Sequence, residues 1–189
     1  MPIAIPAIAQ DNVQLINIGS ETDLSFDGTS NVHDWNSKVT EIEGKGTFVQ
    51  ALFKGAEGEL PEDPVKEVTL TIPVQSIESG KGKMNNIMYD ALKAEDHPKI
   101  EYNLVSSKLL QKTEEAFTLQ TEGYLTVAGV KKQISMQVKG EQVDDNTIRF
   151  TGAKNLKMTD FKINPPKALF GAIKSGDEVN VKFSAIFSE

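Results

Sequence analysis

Apolar residues recur at every second position along much of this chain, and this alternation restricts the fold more than any other feature. Within residues 116–127 the odd positions hold mostly apolar or small side chains: Phe117, Leu119, Thr121, Gly123, Leu125 and Val127. The even positions there are mostly polar. The same pattern marks residues 68–74, 100–104, 134–138 and 179–187. Because successive side chains of a strand point to opposite faces, each stretch predicts a β-strand with one apolar face.

Turn-forming residues separate these predicted strands. Residues such as Gly, Asn and Asp predict turns at residues 79–82, 128–129, 144–146 and 175–177. Residues 128–131 lie between two long alternating stretches and therefore predict a β-hairpin. Shorter candidate strands lie at residues 23–27, 38–53 and 147–151. Strands that follow one another through tight turns pair in the antiparallel direction.

One segment, residues 85–95, has the period of a helix. It brings four apolar side chains to one helical face: Ile87, Met88, Ala91 and Leu92. Asn85 or Asn86 can cap its start, and Pro98 prevents its continuation. The sequence therefore predicts one amphipathic helix of about three turns between two strands.

A sheet of this size has an apolar face that one short helix cannot cover. The sheet must close on itself or fold into a sandwich, and closure also removes exposed edge strands. We expect an all-β, antiparallel, closed barrel of about eight strands, whose interior is either filled by side chains or holds one small ligand. The alternation leaves both interiors open, because small residues such as Gly123 and Ala185 stand among large inward ones.

Charge and composition exclude several classes of function. The chain has 189 residues, which fits one domain, and its formal net charge is −7. This charge argues against nucleic-acid binding, which needs clustered Lys and Arg. It also argues against docking on an anionic membrane by charge alone. The chain contains no cysteine, so disulfides and thiolate-based sites are excluded.

The first ten residues are apolar, and Ala7-Ile8-Ala9 has the small-x-small form of a signal-peptidase site. No basic residue precedes that site. A stretch of roughly nine apolar residues that includes prolines is too short to span a bilayer. We therefore expect residues 1–10 to be either an export-signal remnant or an N-terminal arm, and residues 11–189 to form one domain. No integral membrane segment is expected downstream.

No group of residues in the sequence predicts catalysis or a metal site. The two histidines, His33 and His97, have no ligand spacing with carboxylates. On a strand, His33 and Asp34 would point to opposite faces, and no serine stands in a Gly-x-Ser-x-Gly turn. We expect a protein that is not an enzyme and that uses no metal or other cofactor. A hydrolase or isomerase that uses His33 is the alternative.

Several short stretches follow one another in a fixed order along the chain. They are residues 31–35 (Asn-Val-His-Asp-Trp), the Gly44, Gly46 and Phe48 step, residues 68–77, residues 95–98 (Glu-Asp-His-Pro), residues 123–131 (Gly-Tyr-Leu-Thr-Val-Ala-Gly-Val-Lys) and residues 161–171. Together they resemble the YceI-like family of polyisoprenoid-binding proteins over most of residues 20–188. Two stretches depart from the family pattern: residues 83–86 lack an Arg-Asp-like pair, and residues 158–166 lack an Asn-Arg-x-x-Phe-Gly-like element.

The resemblance implies a lipocalin-like barrel, often exported, that encloses an apolar tunnel. Such a protein binds an isoprenoid-type or other long amphiphilic lipid, for example an isoprenoid quinone, as a carrier or storage protein. We therefore expect an apolar or amphiphilic small molecule as the partner, a periplasmic or secreted location, and a homodimer as a further candidate assembly. A filled barrel that acts as a scaffold or interaction domain is the alternative.

Candidate ligand-binding residues follow from the inward positions of the predicted strands. On the strands they are Phe48, Leu70, Ile72, Tyr102, Phe117, Leu119, Met136, Phe150 and Phe183. Met88 and Leu92 of the helix are expected to close one end. We expect His33, Trp35 and Asn86 to contact the polar head of the ligand near the mouth.

Overall fold

The computed structural model describes residues 13–53, 60–114 and 116–188, and these residues contain twelve strands and one α-helix. The strands are β1 Val13–Ile18, β2 Asp23–Ser30, β3 Trp35–Val39, β4 Glu43–Val49, β5 Val65–Pro73, β6 Ile77–Glu78, β7 Lys99–Lys112, β8 Ala116–Val127, β9 Val130–Asp144, β10 Thr147–Lys157, β11 Lys167–Ala168 and β12 Ile173–Ser188. The helix, α1, is Gly82–Ala91. Short 3₁₀ helices lie at Gln50–Leu52, Val74–Ser76, Met158–Phe161 and Leu169–Gly171.

All pairings between the described strands are antiparallel. The sheet has the order β1-β4-β5-β7-β8-β9-β10-β12-β2-β3-β6, and β11 pairs with β12. β1 also pairs with the end of β12, where Asn17 lies opposite Ser188 and Ile18 opposite Phe187. The sheet is therefore strongly curled, and the prediction of an all-β antiparallel fold with one short helix is confirmed.

The described strands number twelve instead of about eight. The four additional strands are short: β1 has six residues, β3 has five, and β6 and β11 have two each. Alternation cannot mark a strand of two residues, because a period of two needs several repeats to be visible. The predicted strand at residues 38–53 is divided in the structure among the end of β3, β4 and a 3₁₀ helix.

The predicted hairpin at residues 128–131 is confirmed. Val127 pairs with Val130, so the loop between β8 and β9 has two residues, Ala128 and Gly129. Both have positive φ, 49° and 78°, as the favoured two-residue hairpin turns require. A Cβ on Gly129 would lie 2.5 Å from the ring of His97, so this turn also needs glycine for space.

The helix begins earlier than the sequence predicts and ends earlier as well. It spans Gly82–Ala91 instead of residues 85–95, and its N-cap residue is Lys81, which makes no side-chain capping bond. Asn85 therefore lies within the helix, where its Oδ1 accepts hydrogen bonds from the backbone N–H of Ser79 (2.8 Å) and from its hydroxyl (2.6 Å). The predicted cap at Asn85 or Asn86 is wrong, because Asn85 ties the preceding loop to the helix instead.

The predicted turn at residues 175–177 is also wrong. These residues lie within β12, where the pairing with β2 shifts register between Ser175 and Val179. A bulge of this kind uses the same small and polar residues as a turn, which is why the sequence pattern does not distinguish them. β12 continues through the bulge because it pairs with β2 on both sides of it: Ser175 lies opposite Ser30, and Val179 lies opposite Gly28.

Two clusters of buried apolar residues occupy opposite ends of the curled sheet. One, which we call the aromatic core, contains five phenylalanines: Phe48, Phe53, Phe117, Phe150 and Phe187. The second, which we call the helix-side core, is built around Ile72, Ile77, Ile100, Phe161 and Ile163, and α1 packs against it. β5, β7, β8 and β9 contribute to both cores, so these strands run from one end to the other.

Candidate ligand-binding site

A cavity of about 610 Å³ lies inside the curled sheet and contacts both cores. Phe48, Phe150 and Phe187 of the aromatic core form its floor. At the opposite end the cavity reaches exposed residues, among them His33 and Leu169. Its volume falls within the ordinary range for small-molecule pockets, roughly 300–1,000 Å³. Among the described residues that line it there is no Asp or Glu.

Most of the predicted site residues line this cavity. They are Phe48, Leu70, Ile72, Met88, Leu92, Tyr102, Leu119, Met136, Phe150 and Phe183, together with His33 and Trp35. Met84, Ile87 and Ala91 extend the contribution of α1 beyond the two helix residues that the sequence singles out. The fold thus places twelve of the predicted site residues around one cavity. Their contact with a ligand remains a prediction.

Two predicted site residues, Phe117 and Asn86, lie away from the cavity wall. Phe117 faces inward, but it is buried in the aromatic core with its ring centroid 5.9 Å from that of Phe150. It therefore lies within the packed end of the sheet. Asn86 is exposed on the outer side of α1, because the helix begins at Gly82 and turns its Met88 side toward the cavity.

Glycines on neighbouring positions let several aromatic rings lie flat against the wall. A Cβ added to Gly123 would lie 2.5 Å from the Tyr102 hydroxyl, and one added to Gly152 would lie 2.7 Å from the Phe183 ring. The ring of Trp35 covers Gly28 in the same way, at 2.1 Å. Large inward side chains therefore coexist with an open cavity, because the rings occupy space that a side chain would otherwise fill.

Tyr102 and Thr121 are the polar side chains in the middle of the cavity wall. Burial raises the pKa of the Tyr102 phenol, and a hydrogen bond with Thr121 opposes part of that rise. The Thr121 hydroxyl also donates to the backbone carbonyl of Met136 at 3.0 Å. Both groups are neutral at ordinary pH, so the described residues in the middle of the wall carry no charge.

The predicted head-group residues near the mouth are partly engaged with the protein itself. The indole Nε1–H of Trp35 donates to the carbonyl of Thr29 (3.0 Å) and to the hydroxyl of Ser175 (3.2 Å). Nδ1 of His33 lies 2.9 Å from the backbone carbonyl oxygen of Asp34, which places the proton on Nδ1. Trp35 therefore offers a ligand its apolar ring face, whereas His33 is exposed at the mouth.

Lysines at the mouth are the residues that sequence reasoning misses. Five of the lysines that the structure describes line the cavity: Lys81, Lys83, Lys154, Lys157 and Lys167. Alternation could have found Lys154, because Phe150, Gly152 and Leu156 share its face of β10. Lys154 Nζ donates to the carbonyl of Ser135 at 2.7 Å, beyond the point where the β9–β10 ladder ends. The other four lie just before or within the first turn of α1 (Lys81 and Lys83), at the end of β10 (Lys157) and at the start of β11 (Lys167), where the alternation of a long strand gives no information.

The described residues contain no group of three or more His, Cys, Asp or Glu side chains that could hold a metal ion. They also contain no helix that is long and apolar enough to cross a membrane. The predicted export-signal remnant at residues 1–10 lies outside the described residues, and it stays a prediction.

The family model of the YceI-like domain matches residues 19–187. The chain belongs to the YceI-like family. Among curated protein sequences, none matches this chain closely enough to count as a relative. The resemblance inferred from the ordered stretches of sequence is therefore confirmed.

Solved structures share the YceI-like fold of this chain. A polyisoprenoid-binding domain from Saccharophagus degradans, implicated in plant cell wall breakdown, is 13% identical with a TM-score of 0.68, over 94% of this chain and 99% of that one. BcnA from Burkholderia cenocepacia is 18% identical with a TM-score of 0.67, over 88% and 96%. The YceI protein of Campylobacter jejuni is 20% identical with a TM-score of 0.59, over 81% and 84%. At these identities the likeness shows the shared fold.

Proposed function

We propose that this protein binds an isoprenoid-type or other long amphiphilic lipid in an apolar tunnel inside a closed β-barrel, and acts as a carrier or storage protein. The observation that carries this proposal is the cavity of about 610 Å³ with an apolar wall and a charged mouth. Burial of a lipid chain there contributes about 0.8 kcal/mol per methylene. The single binding domain extends over residues 11–189.

The family supports a binding role rather than catalysis. The only described histidine on the cavity wall, His33, lies against a backbone carbonyl and not against a carboxylate. A scaffold with a filled interior is less well supported, because it requires a core without a void of this size. The proposed cargo is held by burial, and the lysines at the mouth meet its polar end.

Closure of the sheet is part of the proposal. The pairing of β1 with both β4 and β12 supports it, since these contacts join the two sides of the curled sheet. Closure would surround the lipid chain on all sides. An exported location, periplasmic or secreted, fits a carrier of membrane lipids, and fractionation of cells that make the native protein tests it.

Extraction of the purified protein with organic solvent, followed by mass spectrometry, tests the function. We expect a long amphiphile in an amount close to one per chain, and a series spaced by isoprene units would identify it as isoprenoid. A blank extract, or one that matches the extract of an unrelated protein from the same cells, would contradict the proposal. The Val181→Trp variant fills the cavity wall and is expected to carry less of the same compound.

A further inference from the structure

The rim around the mouth of the cavity exposes three large apolar side chains. Phe170 is fully exposed, with a relative exposure of 113%, and Leu169 and Val32 are exposed to 58% and 60%. Leu169 also lines the cavity, which places this exposed group at the mouth. Soluble proteins rarely leave such side chains together in water unless the patch contacts a partner or a membrane.

Hydrogen bonds hold the two loops of this rim side by side. Asn31 Nδ2 donates to the carbonyl of Ala172 at 2.9 Å, and the N–H of Lys174 donates to Asn31 Oδ1 at 2.8 Å. The turn that carries Val32 is therefore fixed beside the 3₁₀ helix Leu169–Gly171. Val32, Leu169 and Phe170 therefore project from two loops that hydrogen bonds join into a single exposed patch.

The backbone at the tip of this rim is strained. Leu169 and Phe170 both have left-handed φ values, 48° and 55°. Residues other than glycine adopt such values at an energetic cost, and strained positions concentrate at functional sites. Here the strained backbone holds Phe170 in an exposed position, where none of the described residues covers it.

The segments that form the rim are rich in lysine. Six exposed lysines lie on the segments that form the rim: Lys81, Lys83, Lys157, Lys162, Lys167 and Lys174. None of them forms a salt bridge with a carboxylate of the described residues. The same segments, residues 30–35, 79–84, 157–163 and 166–178, contain four carboxylates: Asp34, Asp160, Asp177 and Glu178.

The rim thus reverses the charge balance of the chain. Over the whole chain, acidic residues outnumber lysine and arginine by 27 to 20, whereas lysines predominate on the rim segments. Among the four carboxylates, Asp177 accepts hydrogen bonds from the N–H and hydroxyl of Thr159, at 2.9 and 2.7 Å. An apolar tip on a lysine-rich rim fits an anionic bilayer, whose headgroups attract lysines and whose interior accepts apolar side chains.

We propose that this rim docks on the surface of an anionic lipid bilayer, with Phe170 and Leu169 inserted and the lysines on the headgroups. The net charge of −7 argues against docking by overall attraction, but the surface that would meet the membrane is locally basic. Docking in this orientation turns the mouth of the cavity toward the bilayer. The proposal concerns the outer surface and holds whichever lipid the cavity carries.

Co-sedimentation of the full chain with vesicles tests the docking surface. One set of vesicles contains phosphatidylcholine alone, and the other contains equal parts of phosphatidylcholine and phosphatidylglycerol. We expect association with the anionic vesicles that weakens at high salt, as screening requires. Phe170→Ser and the double variant Lys157→Gln/Lys167→Gln are each expected to weaken association by about tenfold or more, which corresponds to about 1.4 kcal/mol.

Matched variants away from the rim provide the controls. Leu110→Ser removes an apolar side chain that is 48% exposed near the other end of β7, and Lys38→Gln/Lys45→Gln removes two exposed lysines from β3 and β4. Both controls are expected to bind as the unaltered chain does. The proposal is overturned if the chain binds neither vesicle, if neutral vesicles bind as well as anionic ones, or if rim and control variants bind alike. Lipid extraction from the same variants distinguishes the two proposals: a chain that carries a lipid but binds no vesicle contradicts the docking surface alone, whereas a chain that carries no lipid contradicts the proposed function.

Discussion

The two ends of the curled sheet differ in how their inward side chains are used. At the aromatic core the ring of Phe48 has the centroids of three other phenylalanine rings within 6.0 Å. Toward the helix, inward strand residues such as Ile134 and Leu156 line the open part of the cavity, together with Met84 and Ile87 of α1. The inward residues of the sheet therefore form a packed core at one end and the wall of an open cavity toward the other. We expect stability to depend most on the end where the phenylalanine rings pack together.

Truncating one large side chain at each end of the sheet is expected to show the largest difference in stability between the two ends. Phe48→Ala removes a fully buried ring and is expected to lower the free energy of unfolding by about 3–5 kcal/mol. Ile87→Ala removes a side chain that faces the cavity, and its cost is expected to be about 1 kcal/mol or less, since alanine also favours the helix. Chemical denaturation of the lipid-free protein measures both values. Equal losses would mean that the helix end is packed like the aromatic core.

The glycine beneath Tyr102 offers a second test, with a smaller effect. Gly123→Ala places a methyl group against the Tyr102 ring and is expected to destabilise the protein by about 1–3 kcal/mol, while it pushes the ring into the cavity. Tyr102→Leu in the same chain should recover much of that loss, because the two positions share one space. If the stability loss of the double variant equals the sum of the two single losses, Gly123 does not provide the space that the Tyr102 ring occupies.

The smallest expected effect concerns Asp177, on the rim at the mouth of the cavity. Hydrogen bonds from the hydroxyl and the N–H of Thr159 lower the pKa of this carboxyl below 3.8. A lowered pKa in the folded protein contributes stability above the unfolded value, and that contribution is lost as the pH falls through the folded pKa. Asp177→Asn should therefore be less stable than the unaltered chain at neutral pH, and the difference should shrink below about pH 4. Urea denaturation at several pH values checks this, and a constant difference would contradict it.

The alternation of apolar residues predicts the long strands well, because the period of two repeats many times in β5, β7, β8, β9 and β12. It also identifies which residues point inward. It cannot say how far along the sheet each one lies, since depth depends on the stagger between strands. Phe117 and Phe150 have the same inward pattern, yet only Phe150 reaches the cavity.

Local chemistry limits the prediction at other positions. The small polar residues at 175–177 form a bulge within β12, although they have the composition of a turn. Lys154 faces inward on β10 because a backbone carbonyl on β9 accepts its charge-assisted hydrogen bond, a partner that no sequence pattern reveals. The basic rim combines residues from four separate segments, so only the folded chain brings it together.

A titration of lipid-free protein with a labelled C20 isoprenoid alcohol, followed by native mass spectrometry, tests the central claim most directly. The unaltered chain is compared with Val181→Trp, which fills the cavity, and with Val105→Trp, which adds the same ring at an exposed position of β7. We expect one equivalent bound by the unaltered chain and by Val105→Trp, and affinity lowered about tenfold or more in Val181→Trp, equivalent to about 1.4 kcal/mol. Equal binding by all three, or binding by none, would contradict a hollow, ligand-binding interior at the open end.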